Sequence, residues 1–257
     1  MLSSKKYLFK FCTCVSLLLL LTACSNTNTN VSGSSQNNAQ TIDRYENINR
    51  KIFSFNRGVD SLLLKPAAKV YKKVTPKFVD KSIGNFFSNL GDVGNIINNT
   101  LQGKFADAAS DTERVVFNST LGFAGFVDIA SAVGIQKHNE DFGQTLAKWG
   151  VKSGPYVMLP FLGPSTVRDA VARVSVDRFT DPASYSDESA ALFVTKTVKR
   201  RSDFFAEEEV INGLSDDTYS ALRDVWLDNR KFLIRDGVAD ETTDSDLIDE
   251  LEDLDSQ

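Results

Sequence analysis

Apolar residues recur along this chain at helical rather than strand spacing. Tyr45, Ile48, Ile52, Phe55, Val59 and Leu62 step by three and four residues, which draws one apolar stripe along a helix from Tyr45 to Leu64. Phe53 and Leu63 widen the stripe, and Pro66 is expected to stop the helix, because proline has no N–H and clashes with the preceding turn. Asn47, Asn49 and Asn56 fall on the remaining surface. A second helical stretch runs from Ser82 to Leu101, with Gly91 and Gly94 as possible interruptions, and a third from Phe105 to Asn118. Val115 to Ile135 is apolar enough to approach a membrane span, yet it holds Asn118, Asp128 and three glycines. Two readings fit: a buried helix pair with a glycine turn, or a segment at membrane depth that faces a polar lumen through Asp128. Further on, Ser165 or Thr166 could cap a helix through Val167, Val171 and Val174, and Asp181-Pro182 marks a break. Two more helices follow, Asp187 to Phe205 and Asp216 to Leu233. No segment shows sustained strand alternation, so the expected fold is mainly α, in one domain.

One stretch resists this scheme. Gly154 to Asp169 reads GPYVMLPFLGPSTVRD. Tyr156, Val157, Met158, Leu159, Phe161 and Leu162 are large and apolar, while Pro155, Pro160 and Pro164 forbid a regular helix. It reads as an apolar, proline-punctuated loop.

The first residues carry an address. Lys5, Lys6 and Lys10 precede an apolar run from Val15 to Leu21, too short to span a bilayer. The run ends in Leu21-Thr22-Ala23-Cys24, which looks like a bacterial lipoprotein processing box. Residues 1–23 are thus expected to be a signal peptide and Cys24 the lipidated, palmitate-bearing first residue of the mature chain. Ser25, where an aspartate would retain the protein at the inner membrane, resembles an outer-membrane address. Residues 24–41 are mostly polar and uncharged, with Val31 the one large apolar side chain, and read as a flexible tether. The domain proper is expected over 42–235, followed by an acidic tail, 236–257.

Charge and cysteines narrow the function. Cys12 and Cys14 leave with the signal and Cys24 is acylated, so no disulfide or thiolate metal site is expected in the mature protein. Without the signal the chain has 26 basic and 34 acidic residues, and nine of the acids lie between Asp240 and Gln257. The body is near neutral and offers no basic field for nucleic acid. A nucleophile elbow, P-loop, zincin motif or cysteine pair is lacking. The one histidine, His138, sits in a polar segment, where a solvated role is the ordinary one. No cofactor is implied, and the informative residues are apolar.

Several stretches taken together resemble the MlaA (VacJ) family of outer-membrane lipoproteins. They are Tyr45 to Asn56 (YENINRKIFSFN) with Asp60, Asn85-Phe86 with Asn89-Leu90, and Asn98 to Gly103 (NNTLQG). Arg114, Phe117 to Gly122 (FNSTLG), Gly125 to Asp128 (GFVD), Glu140 to Leu146 (EDFGQTL), Trp149-Gly150 and Gly154 to Asp169 complete the series. The order and spacing fit from about Tyr45 to Tyr185. The resemblance implies an all-α, ring-like body lying in the outer membrane with an amphipathic channel. It implies removal of stray phospholipids from the outer leaflet, delivery to a periplasmic lipid carrier of the MlaC type, association with trimeric porins, and no bond-making chemistry. On that basis Asn49, Asn56 and Asp128 are candidates for the polar side of the path. Phe53, Phe55, Tyr156, Leu159, Pro160, Phe161 and Leu162 are candidates for the lipid-contacting side. The competing expectations are a structural or adhesive lipoprotein that binds a protein partner, and a lipid hydrolase that would have to use His138.

Overall fold

The structure is a computed structural model that describes residues 43–238. The signal segment, Cys24, the tether and the acidic tail beyond residue 238 lie outside the described residues. The body is helical. Helix α1 (Glu46–Val59) passes through a π turn (Asp60–Leu64) into α2 (Lys65–Val74). Helix α3 (Lys77–Leu101) and α4 (Phe105–Thr120) form a helical hairpin. After the short α5 (Ile129–Ala132) and α6 (Phe142–Lys148) comes a two-stranded antiparallel hairpin, β1 (Tyr156–Leu159) and β2 (Gly163–Thr166). Helix α7 (Val167–Ala172), a second π turn (Arg173–Asp177), α8 (Arg178–Thr180) and a 3₁₀ turn (Pro182–Tyr185) lead to α9 (Ser189–Asp203), α10 (Phe205–Leu214) and α11 (Thr218–Ile234).

Three expectations are corrected, and over Val115 to Ile135 a helix pair with a glycine turn is the arrangement found. Pro66 does not end the first helix: the Lys65 N–H reaches back five residues to the Asp60 carbonyl, and this wider turn takes up the proline that an α-helical turn would reject. Gly91 and Gly94 do not break α3, which runs unbroken for 25 residues. The proline-rich loop is a β-hairpin, so the chain does contain strands; at four residues each, they are too short to show alternation above the prolines. The near-span from Val115 to Ile135 is the end of α4, a tight turn and α5, and no helix among the described residues is long and apolar enough to cross a membrane. Asp128 caps α5 by accepting from the Ser131 N–H at 3.1 Å. Thr166, not Ser165, caps α7 by accepting from the Asp169 N–H at 3.3 Å.

The interior is polar. Among the described residues, 18 polar or charged side chains are buried against nine hydrophobic ones, whereas 33 large apolar side chains are exposed. A water-soluble globule has the opposite order. Helix α3 shows how this arises. Its buried residues are Asn89, Asp92, Asn95, Asn98 and Asn99, spaced by three and four so that they share one face. Asn89 donates to Ser119 at 3.0 Å, Asn99 to Asp111 at 2.9 Å, and Asn98 accepts from Thr145 at 2.8 Å. Asn95 donates to the His138 carbonyl and accepts from the Glu140 N–H at 3.0 Å.

Arg114 of α4 is the centre of this layer. It is 1% exposed. Its guanidinium donates to Asp128 at 3.1 and 3.2 Å, to the Ser131 hydroxyl at 3.1 Å and to the Ile135 carbonyl at 2.8 Å. Its Nε lies 3.4 Å from Asp92, which also pairs with Lys137. Burial pushes the Asp128 carboxyl up, but hydrogen bonds from Ser131 and Asn118 and the charge of Arg114 bring it down to about 2. The pair therefore stays ionised near neutral pH. The Arg114→Ala protein should lose about 3–5 kcal/mol of stability, the usual cost of stranding buried carboxylates, measured by denaturant unfolding in detergent. Loss of under 1 kcal/mol would contradict the arrangement.

Candidate functional site

The hairpin loop is three residues long, Pro160 to Leu162, between the paired Leu159 and Gly163. Gly163 takes φ +79° as such loops require. Phe161 also has a positive φ, +63°, a strained state for a bulky residue. Three hydrogen bonds fix the tip. The Phe161 N–H donates to Asn56 Oδ1 at 2.9 Å, the Leu162 N–H to the Pro160 carbonyl at 2.8 Å, and Arg173 donates to the Leu162 carbonyl at 3.1 Å. The Phe161 ring is 71% exposed and meets Phe55 edge-on, centroids 5.3 Å apart. Phe55 and Leu162 are exposed as well.

The hairpin is held by two asparagines of α1. Asn49 donates to the Tyr156 carbonyl at 3.2 Å and accepts from the Met158 N–H at 2.8 Å. Asn56 donates to the Leu159 carbonyl at 2.9 Å and accepts from Phe161. Each amide thus stands in for one residue of a neighbouring strand along an otherwise open edge. The spacing explains the pair. Seven residues of helix rise about 10.5 Å, and three residues of strand cover about 10 Å, so Asn49 and Asn56 fall opposite equivalent points of β1. Asp43 fixes the Asn49 amide from behind at 2.8 Å.

Beneath the hairpin lies a small apolar core of Tyr156, Met158 and Tyr219, with Ile52, Phe53, Leu222, Trp226 and Leu227 against it. Phe53 and Tyr219 meet edge-on at 5.5 Å, and Tyr156 and Trp226 at 6.1 Å. Helix α11 reaches the hairpin from its other end through Arg230. This guanidinium donates to Asp141 at 2.6 and 2.7 Å and to Asp169 at 3.0 Å from both Nε and Nη2. Asp141 caps α6 through the Gln144 N–H at 2.9 Å. Burial pushes the Asp141 carboxyl up, but Arg230 outweighs this and holds it below the usual range. Gly143 makes room for the clamp, since a Cβ there would come within 2.4 Å of both Arg230 and Asp169.

Most of the expected residues are thus brought together. Phe55, Leu159, Pro160, Phe161 and Leu162 form the hairpin's outer end with α1, whereas Phe53 and Tyr156 pack in the core beneath it. Asn49 and Asn56 were expected on a polar path, but their amides are committed to the hairpin backbone. Asp128 stands apart, committed to Arg114. Cys24 lies outside the described residues. Arg114 with Asp92, and Arg230 with Asp141 and Asp169, were missed as sites. The asparagine spacing along α3 was the available signal for the first. His138, expected to be solvated, is half-buried with Nδ1 3.2 Å from Asp111 and Nε2 3.6 Å from Asp107.

A helical body with a polar inside, an apolar outside and a stapled apolar hairpin defines an inverted fold suited to a non-aqueous neighbour. The chain belongs to the MlaA lipoprotein family, whose sequence profile matches residues 41–233. A Rickettsia typhi protein is 32% identical over 187 residues, 72% of this chain and 74% of that one. The Escherichia coli intermembrane phospholipid transport system lipoprotein MlaA is 28% identical over 224 residues, 84% of this chain and 88% of that one. A solved structure described as "Structural basis for maintenance of bacterial outer membrane lipid asymmetry" superposes with a TM-score of 0.66 at 29% identity, covering 75% of this chain and 98% of that one.

Asn56→Ala should leave the Leu159 carbonyl and Phe161 N–H without their partner, at about 1–3 kcal/mol each where water cannot replace it. Hydrogen-exchange mass spectrometry should show faster exchange over residues 156–166 and little change in α3 and α4. Unchanged exchange across the hairpin would show that the asparagine does not hold it.

Proposed function

We propose that this chain is an outer-membrane lipoprotein that removes stray phospholipids from the outer leaflet and passes them to a soluble periplasmic carrier. The observation that carries this is the inversion of the body, with 18 buried polar side chains against nine hydrophobic ones and 33 large apolar side chains outside among the described residues. Such a surface suits acyl chains. In this reading the body is a ring-like, bilayer-embedded domain with an amphipathic channel, anchored at Cys24 on the periplasmic side. The same apolar surface would serve contact with a trimeric porin.

The physical need is large. Each methylene moved into water costs about 0.8 kcal/mol, so a phospholipid crossing water unaided meets a barrier of tens of kcal/mol. Phe55, Leu159, Pro160, Phe161 and Leu162 would meet the acyl chains. Asn49 and Asn56 would hold that apolar edge in place. The Phe161 strain is consistent with a tip that must keep its shape when loaded. A hydrolytic reading is less well supported, because both His138 nitrogens face carboxylates and no hydroxyl or thiol side chain among the described residues hydrogen-bonds to it.

The test is outer-leaflet phospholipid in a strain that lacks the protein, read by palmitate transfer to lipopolysaccharide or by sensitivity to SDS with EDTA. Deletion should raise surface phospholipid, and wild-type protein should restore it. Phe161→Asp, expressed at wild-type level, should fail to do so. A deletion without effect would defeat the transport reading and put the partner-binding lipoprotein in its place.

A further inference from the structure

The near-neutral body hides a segregation of charge. Residues 65–81 hold six lysines and a single acid, Asp80. That acid is occupied, accepting from the Tyr71 hydroxyl at 2.8 Å and pairing with Lys199 at 3.0 Å. Lys65 pairs with Glu208 at 2.9 Å, and Lys72 leans on the Phe205 ring, 5.5 Å from its centre. The other four, Lys69, Lys73, Lys77 and Lys81, are exposed and have no ion pair among the described residues.

The lysines are not scattered. On α2, Lys69 and Lys73 are four apart and share a face, and an open cavity of about 360 Å³ is lined by Lys69, Lys72, Lys73 and Phe205. Val70 and Val74 form the adjoining stripe, 61% and 69% exposed, and Phe78 in the first turn of α3 is 73% exposed. Ala68 is buried on the opposite side. Exposed cations interleaved along the chain with exposed apolar side chains need two things from one partner: anionic groups in a layer, and hydrocarbon just beneath. A free phosphate or an acidic peptide offers the first alone. A phospholipid leaflet offers both, and lysine stems lie along apolar surface while their ammonium groups reach the phosphates.

We propose that residues 65–81 are a docking edge for an anionic phospholipid leaflet. Lys69, Lys73, Lys77 and Lys81 pair with phosphodiester headgroups, and Val70, Val74 and Phe78 enter the acyl boundary. This rests on the reading that the body lies in a bilayer, and adds to it a surface that senses headgroup charge. The edge would fix the depth and tilt of the helical body independently of the lipid on Cys24.

The test uses the processed, acylated protein beginning at Cys24, reconstituted in liposomes, with a bimane fluorophore on Val70→Cys, which is its one free thiol once Cys12 and Cys14 have left with the signal and Cys24 is acylated. Spin-labelled lipid serves as quencher. Quenching should rise when a quarter of the phosphatidylcholine is replaced by phosphatidylglycerol, and should fall at high salt. Combining Lys69→Gln, Lys73→Gln and Lys77→Gln should cut the phosphatidylglycerol-dependent part about tenfold or more. The melting curve in detergent should not move, since these lysines make no ion pairs among the described residues. Equal quenching in both lipids, or none, overturns the proposal. So does a rise in quenching when residues 240–257 are removed, which would make the acidic tail the occupant. Surface-phospholipid complementation by the triple variant separates the two readings. If charge-dependent docking is absent in the wild type while lipid clearance persists, only the docking edge fails. If docking is present while deletion of the protein has no lipid phenotype, only transport fails.

Discussion

A guanidinium sealed away from water organises this molecule. Arg114 sits between Asp92 and Asp128 with almost no exposure, and taking such charges from water costs several kcal/mol each unless geometry repays it. The repayment requires α3 to deliver Asp92, the cap and body of α5 to deliver Asp128 and Ser131, and the chain beyond α5 to deliver the Ile135 carbonyl. Helices α3 and α4 and the stretch around α5 are thereby fixed in one layer. Once those inward faces are polar, the apolar residues of the same helices have only the outside left. The exposed surface of Leu121, Phe123, Phe126 and Val127 follows from the ion pair as much as from any requirement of its own.

The second organising device is softer but equally directional. Two amide side chains, one helical heptad apart, replace the missing strand beside β1. A two-stranded hairpin alone is marginal. Here one edge is bonded to a helix, the face beneath packs on Tyr219 and Trp226, and Arg230 ties the cap of α6 and the first turn of α7 to the last helix. The exposed Phe161 tip is therefore a rigid apolar projection. Its shape is set by groups that never touch what it meets.

Helical periodicity was legible, and so were the positions of most helices. What the pattern left open was phase. The stripe of Tyr45, Ile48, Phe55 and Leu62 is real, yet these residues are exposed, while Asn49 between them is buried. Spacing tells which residues share a face, and only an assumption of surrounding water tells which face turns in. The polar stripe of α3 held the same information and was overshadowed by its phenylalanines. The hairpin was hidden for another reason: its alternation of buried Tyr156 and Met158 with half-exposed Val157 and Leu159 lasts only four residues, among prolines that argue against any regular structure. The clamp by Arg230 left no trace in the pattern, because it joins residues 61 and 89 positions away in the chain.

The π turn at Asp60–Leu64 gives the first helices a setting that composition does not record. One residue more than an α-helix needs is accommodated there, and Arg201 holds the widened turn by a two-point grip on Asp60 at 2.6 and 2.9 Å. Each residue of an α-helix turns the chain by about 100°. Everything after the turn is therefore rotated by roughly that angle relative to the asparagines before it. The hairpin-facing side of α1 and the lysine-bearing side of α2 are two azimuths of one rod, and their relative angle is stored in a single inserted residue. Loss of one residue between 60 and 64 would scarcely alter charge or hydrophobicity, yet it would turn one of the two faces away from its neighbour.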